Sequence, residues 1–195
     1  MENKILKDWI KFLDEDEVKF QLICSSLYMT AYELLIDVIV KKLIDFYCEG
    51  IEDNEPIISE NYKTRVKTLF KGDIVIASSF WLRDRHVITD LEVERIKEFK
   101  IHRNDIAHEL PKIISDSEYD VRVEHFTEIQ ELYRKIHLWW FLEVELPTDP
   151  DFESIDFDRL DNDEALSLVM LPMTYMVNIV NDEVKKRMER KMQTK

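Results

Sequence analysis

The chain has 195 residues, a length that fits one domain with a sizeable core. Its hydrophobic share of 45% and charged share of 35% describe a soluble globular protein. With only 2 glycines it lacks the turn residues that sheet proteins need, so helices joined by short connections are predicted.

The N-terminal sequence lacks an uninterrupted apolar stretch, and the longest apolar run, Leu168–Met173, contains a proline and is too short to span a bilayer. Cys24 and Cys48 match no metal-ligand spacing, which favours free thiols in a reducing compartment. We therefore expect a cytoplasmic protein with no membrane partner, no metal and no cofactor.

The net charge of −14 repels nucleic acid at long range, but the charge is unevenly distributed. Residues 62–104 contain ten Lys and Arg against six acidic residues, a net charge of +4, which leaves −18 for the remainder. Such runs usually decorate solvated helix faces, so this asymmetry is a weak indication of function.

Helical periodicity predicts the first elements of the chain. Apolar residues share one helical face over 4–13, and the longer segment Val18–Glu49 has the dense apolar pattern of a helix buried on most sides. Gly50 is predicted to end this helix, and residues 51–58 are predicted to form a loop.

Capping patterns predict the helices in the middle of the chain. Ser59 and Asp73 each precede an apolar helical segment, and Thr89–Glu92 matches a capping box, in which two side chains satisfy free amides at a helix start. The third of these helices is predicted to stop near Leu110, because Pro111 disfavours helical geometry in the residue before it.

A further helix is predicted from about Tyr119 to Glu145, followed by an acidic loop over 145–162. The last helix is predicted from Asn162 to about Lys191, where Pro172 either kinks it or separates two abutting helices. No repeat or composition break divides the chain, so residues 1–195 are predicted to form a single all-α domain.

One short stretch, "HRNDIAHEL" at residues 102–110, combines groups suited to phosphodiester chemistry. Metal-independent RNA cleavage needs proton removal from a 2′-hydroxyl, charge stabilisation on the phosphoryl oxygens and protonation of the leaving 5′-oxygen. His108 suits proton transfer near neutral pH, and Arg103 suits phosphate binding through its planar donors. Asn104 and His108 are four residues apart and face the same way on a helix.

The segment "RNDIAH" on a long helix of a small all-α protein resembles the HEPN superfamily. The mark of that superfamily is an Arg, four to six residues and then a His, with a polar residue commonly following the Arg. Arg103, Asn104 and His108 match the pattern with four residues between Arg and His. The match covers one helix closely and the rest of the chain as a generic helical bundle.

This resemblance implies a bundle of four or more main helices that forms a homodimer and brings two motifs together. It implies metal-independent endoribonuclease activity on RNA, as a toxin or anti-phage defence effector with an antitoxin or another protein as partner. Arg103 would bind the scissile phosphate, His108 would transfer a proton and Asn104 would support them. A toxin subgroup has Tyr where this chain has Leu110, so control by nucleotide addition at that residue is not implied.

Two alternatives remain open from the sequence. The first is a non-catalytic helical module that binds RNA or a protein. The second is a helical scaffold or regulator, which the net charge of −18 outside residues 62–104 would favour. His108 could pair with Asp105 one turn back, whereas Arg103 has no acidic neighbour three or four residues away. Arg95 and His102 also fit the family spacing, with six intervening residues.

The remaining histidines and tryptophans are predicted to be structural. His125 and His137 have no metal-site spacing around them and are taken as structural or exposed. Trp81, Trp139 and Trp140 could stack nucleic-acid bases, but in apolar helical segments they are more often core or dimer-interface residues.

Overall fold

The structure is a computed structural model that describes residues 2–148 and 162–193. Most of the described residues are helical, which confirms the prediction of an all-α helical bundle. In chain order the elements are α1 (Glu2–Leu13), α2 (Glu15–Ile36) with a π-helical continuation (Asp37–Lys41), α3 (Lys42–Phe46), β1 (Cys48–Glu52), β2 (Glu55–Ile58), α4 (Glu60–Tyr62) with a π-helical continuation (Lys63–Lys67), α5 (Ile74–Asp84), α6 (Asp90–Ser115), α7 (Glu124–Trp140) with a π-helical continuation (Phe141–Glu145), α8 (Leu146–Thr148) and α9 (Asn162–Gln193).

The predicted helix caps of the middle region are confirmed. Asp73 Oδ1 accepts hydrogen bonds from the backbone N–H of Val75 at 3.1 Å and of Ile76 at 3.4 Å. The N–H of Thr89 donates to Glu92 at 2.7 Å, and the N–H of Glu92 donates back to the Thr89 hydroxyl at 3.2 Å. These bonds satisfy amides that have no partner within their helices, so α5 and α6 begin where the sequence indicates.

Residues 48–58 form an antiparallel hairpin, so the predicted helix end at Gly50 and the predicted loop are wrong. Gly50 lies in β1 and pairs with Ile57 of β2. Asp53 and Asn54 connect the strands with φ of 49° and 67°. Two consecutive residues with positive φ give a two-residue turn whose twist matches that of paired strands, and Asp and Asn tolerate this conformation.

The predicted acidic loop over 145–162 is wrong at its beginning, because helical structure continues from α7 through Thr148. The rest of that prediction falls on residues 149–161, which lie outside the described residues. Beyond them, α9 begins at Asn162 and runs through Pro172 as one helix.

The chain divides into two compact units. Unit 1 comprises Met1–Tyr32, Phe99–Gln130 and Leu171–Lys195, and unit 2 comprises Glu33–Glu98 and Glu131–Met170. The single domain over residues 1–195 stays a prediction.

Unit 1 has a core of aromatic and aliphatic side chains from α2, α6, α7 and α9. Its buried members include Phe20, Tyr28, Phe99, Phe126 and Met173. α1 contributes little to this core, because Ile5, Leu6, Trp9, Ile10 and Leu13 are all more than half exposed. The helical face predicted over residues 4–13 is therefore formed but open to solvent.

Unit 2 is built around a stacked tryptophan pair. The rings of Trp81 and Trp140 lie 5.9 Å apart at an interplanar angle of 11°, and each residue is 1% exposed. Trp140 Nε1 donates to the carbonyl oxygen of Val38 at 3.1 Å. The core assignment of these two tryptophans is confirmed, whereas Trp139 is half-buried.

One helical stretch, Glu15–Phe46, is long and apolar enough to cross a membrane by length and composition, and half of its most apolar window is buried inside the fold. Its side chains Tyr28, Leu35 and Leu43 are 0% exposed. A core helix meets the same criterion, so this stretch is weak evidence for a membrane location.

Candidate functional site

The sequence motif lies on α6, within the part of that helix that belongs to unit 1. Arg103 is half-buried, and its guanidinium carbon lies 6.0 Å from the centroid of the Tyr32 ring on α2. Its Nη1 also donates a long hydrogen bond of 3.4 Å to Oδ1 of the exposed Asn104. The neighbouring amide and the aromatic ring of another helix therefore restrain the arginine.

His108 is exposed one turn further along α6. Within residues 2–148 and 162–193 its side chain makes no hydrogen bond or ion pair, so the alternative pairing with Asp105 is not formed. Asn104 is also exposed, but it contacts Arg103 and not the imidazole. The motif thus presents a solvent-accessible imidazole and, one turn away, an amide that is bonded to a guanidinium.

The helix that carries the motif is interrupted directly after it, next to Leu110, where the sequence predicts its end. Glu109 has non-helical backbone angles, with φ of −120° and ψ of 22°, and the chain then returns to helix through Ser115. Pro111 explains the bend, because it lacks an N–H and its ring conflicts with the preceding turn. His108 is therefore the last residue before the distortion.

The second arginine–histidine pair of matching spacing is occupied by structural contacts. Arg95 forms an ion pair with Glu98. His102 is 4% exposed and accepts a hydrogen bond at Nε2 from the backbone N–H of Arg122 at 3.0 Å. Neither side chain is available to a substrate in the way that His108 is.

His102 belongs to a buried cluster of aromatic rings that the sequence did not reveal. The His102 ring packs edge-on against Tyr28 at 4.8 Å and against His125 at 5.5 Å. The Tyr28 hydroxyl lies 2.9 Å from Nδ1 of His125. Burial, together with the nearby His125 and Arg122, lowers the pKa of His102 to about 4. The structural interpretation of His125 is confirmed, because the ring is 2% exposed and hydrogen-bonded.

A cavity of about 410 Å³ opens on another side of α6. It is lined by His102, Asp105, Glu109 and Lys112 of this helix, together with residues of the following loop. Its lining carries charges of both signs. Arg103, Asn104 and His108 are not among the lining residues, so chemistry at the motif would take place on the exposed surface of α6.

A buried lysine ties α1 to the loop after α6, a contact that sequence patterns could not predict. Lys11 is 8% exposed, and its Nζ donates to the carbonyl oxygen of Asp116 at 3.0 Å and to Asp120 Oδ1 at 2.8 Å. It also donates to the carbonyl oxygen of Tyr119. All three donors of the ammonium group are therefore used.

Arg187 of α9 completes this ionic cluster. Its Nε donates to Glu17 at 2.9 Å and its Nη2 donates to Asp120 at 2.8 Å. Gln21 Nε2 donates to the same Asp120 at 2.7 Å. Burial alone would raise the pKa of Asp120, but hydrogen bonds from Lys11 and Arg187 outweigh burial and lower it. The cluster supports the unit that carries the motif.

No group of three or more His, Cys, Asp or Glu side chains in the described parts of the chain is arranged to hold a metal ion. Cys24 is fully buried, and burial raises the pKa of its thiol to about 12. Cys48 is half-buried, and its thiol donates to the carbonyl oxygen of Gly50.

Comparison of the chain with protein-family models, with curated proteins and with solved structures gave no match. The proposal for its function therefore depends on the motif, its geometry and the resemblance described above.

Proposed function

We propose that the protein is a metal-independent endoribonuclease of the HEPN type, in which Arg103, Asn104 and His108 form one half of the active site. The observation that carries this proposal is the exposed imidazole of His108, free of any hydrogen bond in the described structure, one turn from the contact between Asn104 and Arg103. A side chain in that state is accessible to a substrate, whereas the buried His102 is not.

The chemistry follows from these groups. The 2′-hydroxyl of RNA attacks the adjacent phosphorus while an imidazole removes its proton, and the bond from phosphorus to the 5′-oxygen breaks. The products are a 2′,3′-cyclic phosphate and a 5′-hydroxyl, so the leaving oxygen must receive a proton. Arg103 stabilises the charge that develops on the phosphoryl oxygens. Asn104 holds the guanidinium through Oδ1.

One copy of the motif supplies one imidazole, whereas the reaction needs a base and an acid. A second copy of the chain, related by two-fold symmetry, would supply the missing proton-transfer group. We therefore include a homodimer in the proposal, with RNA as substrate and a role as a toxin or defence effector held in check by an antitoxin.

The test is cleavage of a labelled single-stranded RNA in the presence of EDTA. His108→Ala should lower the rate by about a hundredfold or more, because general acid–base groups contribute roughly 10²–10⁴-fold. His86→Asn, which changes another exposed histidine and keeps a residue that tolerates its positive φ of 60°, should leave the rate unchanged. Substrates with 2′-deoxy sugars should resist cleavage.

The results also separate the rival functions. RNA that is bound but left intact by the wild-type protein would favour the non-catalytic binding module. No RNA binding at all would favour the scaffold or regulator. Cleavage that is unchanged in Arg103→Ala would show that the wrong residues have been chosen.

A further inference from the structure

A surface of unit 2 combines aromatic rings with positive charges. The rings of Tyr62 and Tyr47 lie 5.8 Å apart, and Tyr47 lies 6.2 Å from Trp81. Trp81 Nε1 donates to the Tyr47 hydroxyl at 3.1 Å. Because Tyr62 and Trp81 are buried, these rings form a rigid base for whatever side chains lie over them.

Two cationic side chains lie over this aromatic base, and a third belongs to the helical segment beside it. The guanidinium carbon of the exposed Arg85 lies 3.3 Å from the centroid of the Trp81 ring, and Lys67 Nζ lies 5.5 Å from that of Tyr62. Arg65 belongs to the same π-helical segment as Lys67, and that segment packs against α5. Burial lowers the pKa of Arg85, and the positive charge of Arg65 lowers it further. We call Arg65, Lys67 and Arg85 the basic patch.

The basic patch has no carboxylate within 4.0 Å of its nitrogen atoms among residues 2–148 and 162–193. Arg83, in the last turn of α5, provides a contrast, because it forms ion pairs with Asp84 at 2.7 Å and with Asp90 at 3.2 Å. Apart from the longer-range attraction of Asp84 for Arg85, the charges of this patch are therefore left to water or to a ligand.

We propose that the basic patch is a phosphate-binding site, with Arg85 as its central residue. A guanidinium presents paired donors that match the oxygens of a phosphate. The position of the Arg85 guanidinium over the Trp81 ring, with a 3.4 Å hydrogen bond from Nη1 to the Trp81 carbonyl oxygen, restrains that group before any ligand arrives. Arg65 and Lys67 add charge around it. A phosphate is a better ligand for three positive charges than a carboxylate is, because its oxygens accept several charge-assisted hydrogen bonds at once.

This inference does not depend on ribonuclease activity. The phosphate could belong to the backbone of single-stranded RNA or to a free nucleotide, and both present the same chemical group to the patch. Binding at the patch and cleavage by His108 are separate properties, so either could fail while the other holds.

The experiment measures binding in the full-length His108→Ala protein, so that RNA stays intact. Fluorescence anisotropy with a labelled single-stranded RNA should show that Arg85→Gln weakens binding about tenfold, the effect of losing a charge-assisted hydrogen bond. Arg83→Gln removes the same charge two positions earlier in the chain, at a residue that is already paired with acidic side chains, and should change affinity less than about twofold. Arg65→Gln should weaken binding in the same direction as Arg85→Gln.

Salt dependence and a second ligand complete the test. The slope of log affinity against log salt should fall by about 0.7 in Arg85→Gln, as expected for one lost phosphate contact on a single strand. If a nucleoside triphosphate displaces the RNA, and if this displacement is lost in Arg85→Gln, free nucleotide is a ligand of the patch. If the nucleoside triphosphate does not displace the RNA, the ligand is the RNA backbone. Equal effects of Arg83→Gln and Arg85→Gln, or no binding of either ligand at low salt, would overturn the proposal.

Discussion

The backbone N–H of Arg122 donates to Nε2 of His102 over 3.0 Å, inside a core where the imidazole is 4% exposed. A ring nitrogen that accepts this bond carries no proton, so His102 is held in its neutral form. Protonation would break the bond and place a charge next to His125.

Acid should therefore destabilise the protein in a defined pH window. The pKa of His102 is about 4 in the folded state, against 6.5 as its ordinary value. Between these values the unfolded chain binds more protons, so the free energy of unfolding falls as the pH drops from 6.5 to 4, by about 3 kcal/mol for this group. Burial and the nearby Lys42 lower the pKa of His137 to about 4 as well, so His137 should add a similar loss of unfolding free energy.

Urea unfolding at several pH values from 7 to 4.5 would measure this loss. His102→Gln keeps an acceptor for the Arg122 amide but does not titrate, so it should remove about half of the pH dependence. The pKa of Asp120 is lowered from 3.8, so the stability that this carboxylate contributes is lost below the pH window of the measurement. Stability that is constant between pH 7 and 4.5 would contradict the assignment.

Removing the buried ammonium of Lys11 should destabilise unit 1. Lys11→Met leaves the Asp116 and Tyr119 carbonyl oxygens without this donor. It also removes one cationic partner of Asp120, whose side chain is 43% exposed. Because Asp120 is partly solvated, we expect a loss of about 2–3 kcal/mol rather than the larger cost of a fully buried pair.

Lys7→Met is the matched control for this measurement. Lys7 is an exposed lysine on the same helix, so its replacement should change the free energy of unfolding by less than about 0.5 kcal/mol. Chemical denaturation of both variants at pH 7 would decide the matter. Equal stability of Lys11→Met and Lys7→Met would show that the buried contacts contribute nothing.

The turn of the hairpin should respond to substitution at Asn54, whose φ is 67°. Asn54→Gly suits this backbone conformation and should stabilise the protein by up to about 1 kcal/mol. Asn54→Val places a β-branched side chain at positive φ and should destabilise it by about 1–2 kcal/mol. Thermal unfolding of the two variants checks the order, and a reversed order would show that the turn is of another type.

The proposed composite active site predicts interference between subunits. A tenfold excess of His108→Ala protein, mixed with a fixed amount of wild-type protein, should place most wild-type chains in mixed dimers and lower cleavage several-fold. RNA must exceed total protein, so that binding by the inactive chain does not deplete the substrate. Unchanged cleavage after full subunit exchange would mean that one chain contains the whole site.

Local signals in the sequence predicted the helices well, because the groups that determine helix starts are neighbours in the chain. Asp73 bonds to residues two and three positions ahead, and Thr89 and Glu92 bond to each other. The hairpin was missed because Cys48–Gly50 follows an apolar helix without a break in composition. The Asp53–Asn54 turn was then interpreted as part of a loop.

The parts that could not be predicted depend on residues far apart in sequence. Lys11 and Asp120 are 109 positions apart, and nothing near Lys11 indicates that an ammonium on an amphipathic helix is buried. His102 looked like one more member of an arginine–histidine pattern, whereas its burial depends on Tyr28 and on the Arg122 amide. For the motif itself, the sequence supplied the residue types, and the structure added that His108 is exposed.

The bond between Glu17 and Arg187 spans 170 positions. During synthesis, the N-terminal helices leave the ribosome long before Leu171–Lys195, the last segment of unit 1, has been translated. Until then Glu17 has no guanidinium partner, and the unit that bears Arg103 and His108 is incomplete. Unit 1 therefore cannot gain the Glu17–Arg187 bond until this segment has been synthesised, so the completion of the unit is delayed relative to the synthesis of its first helices.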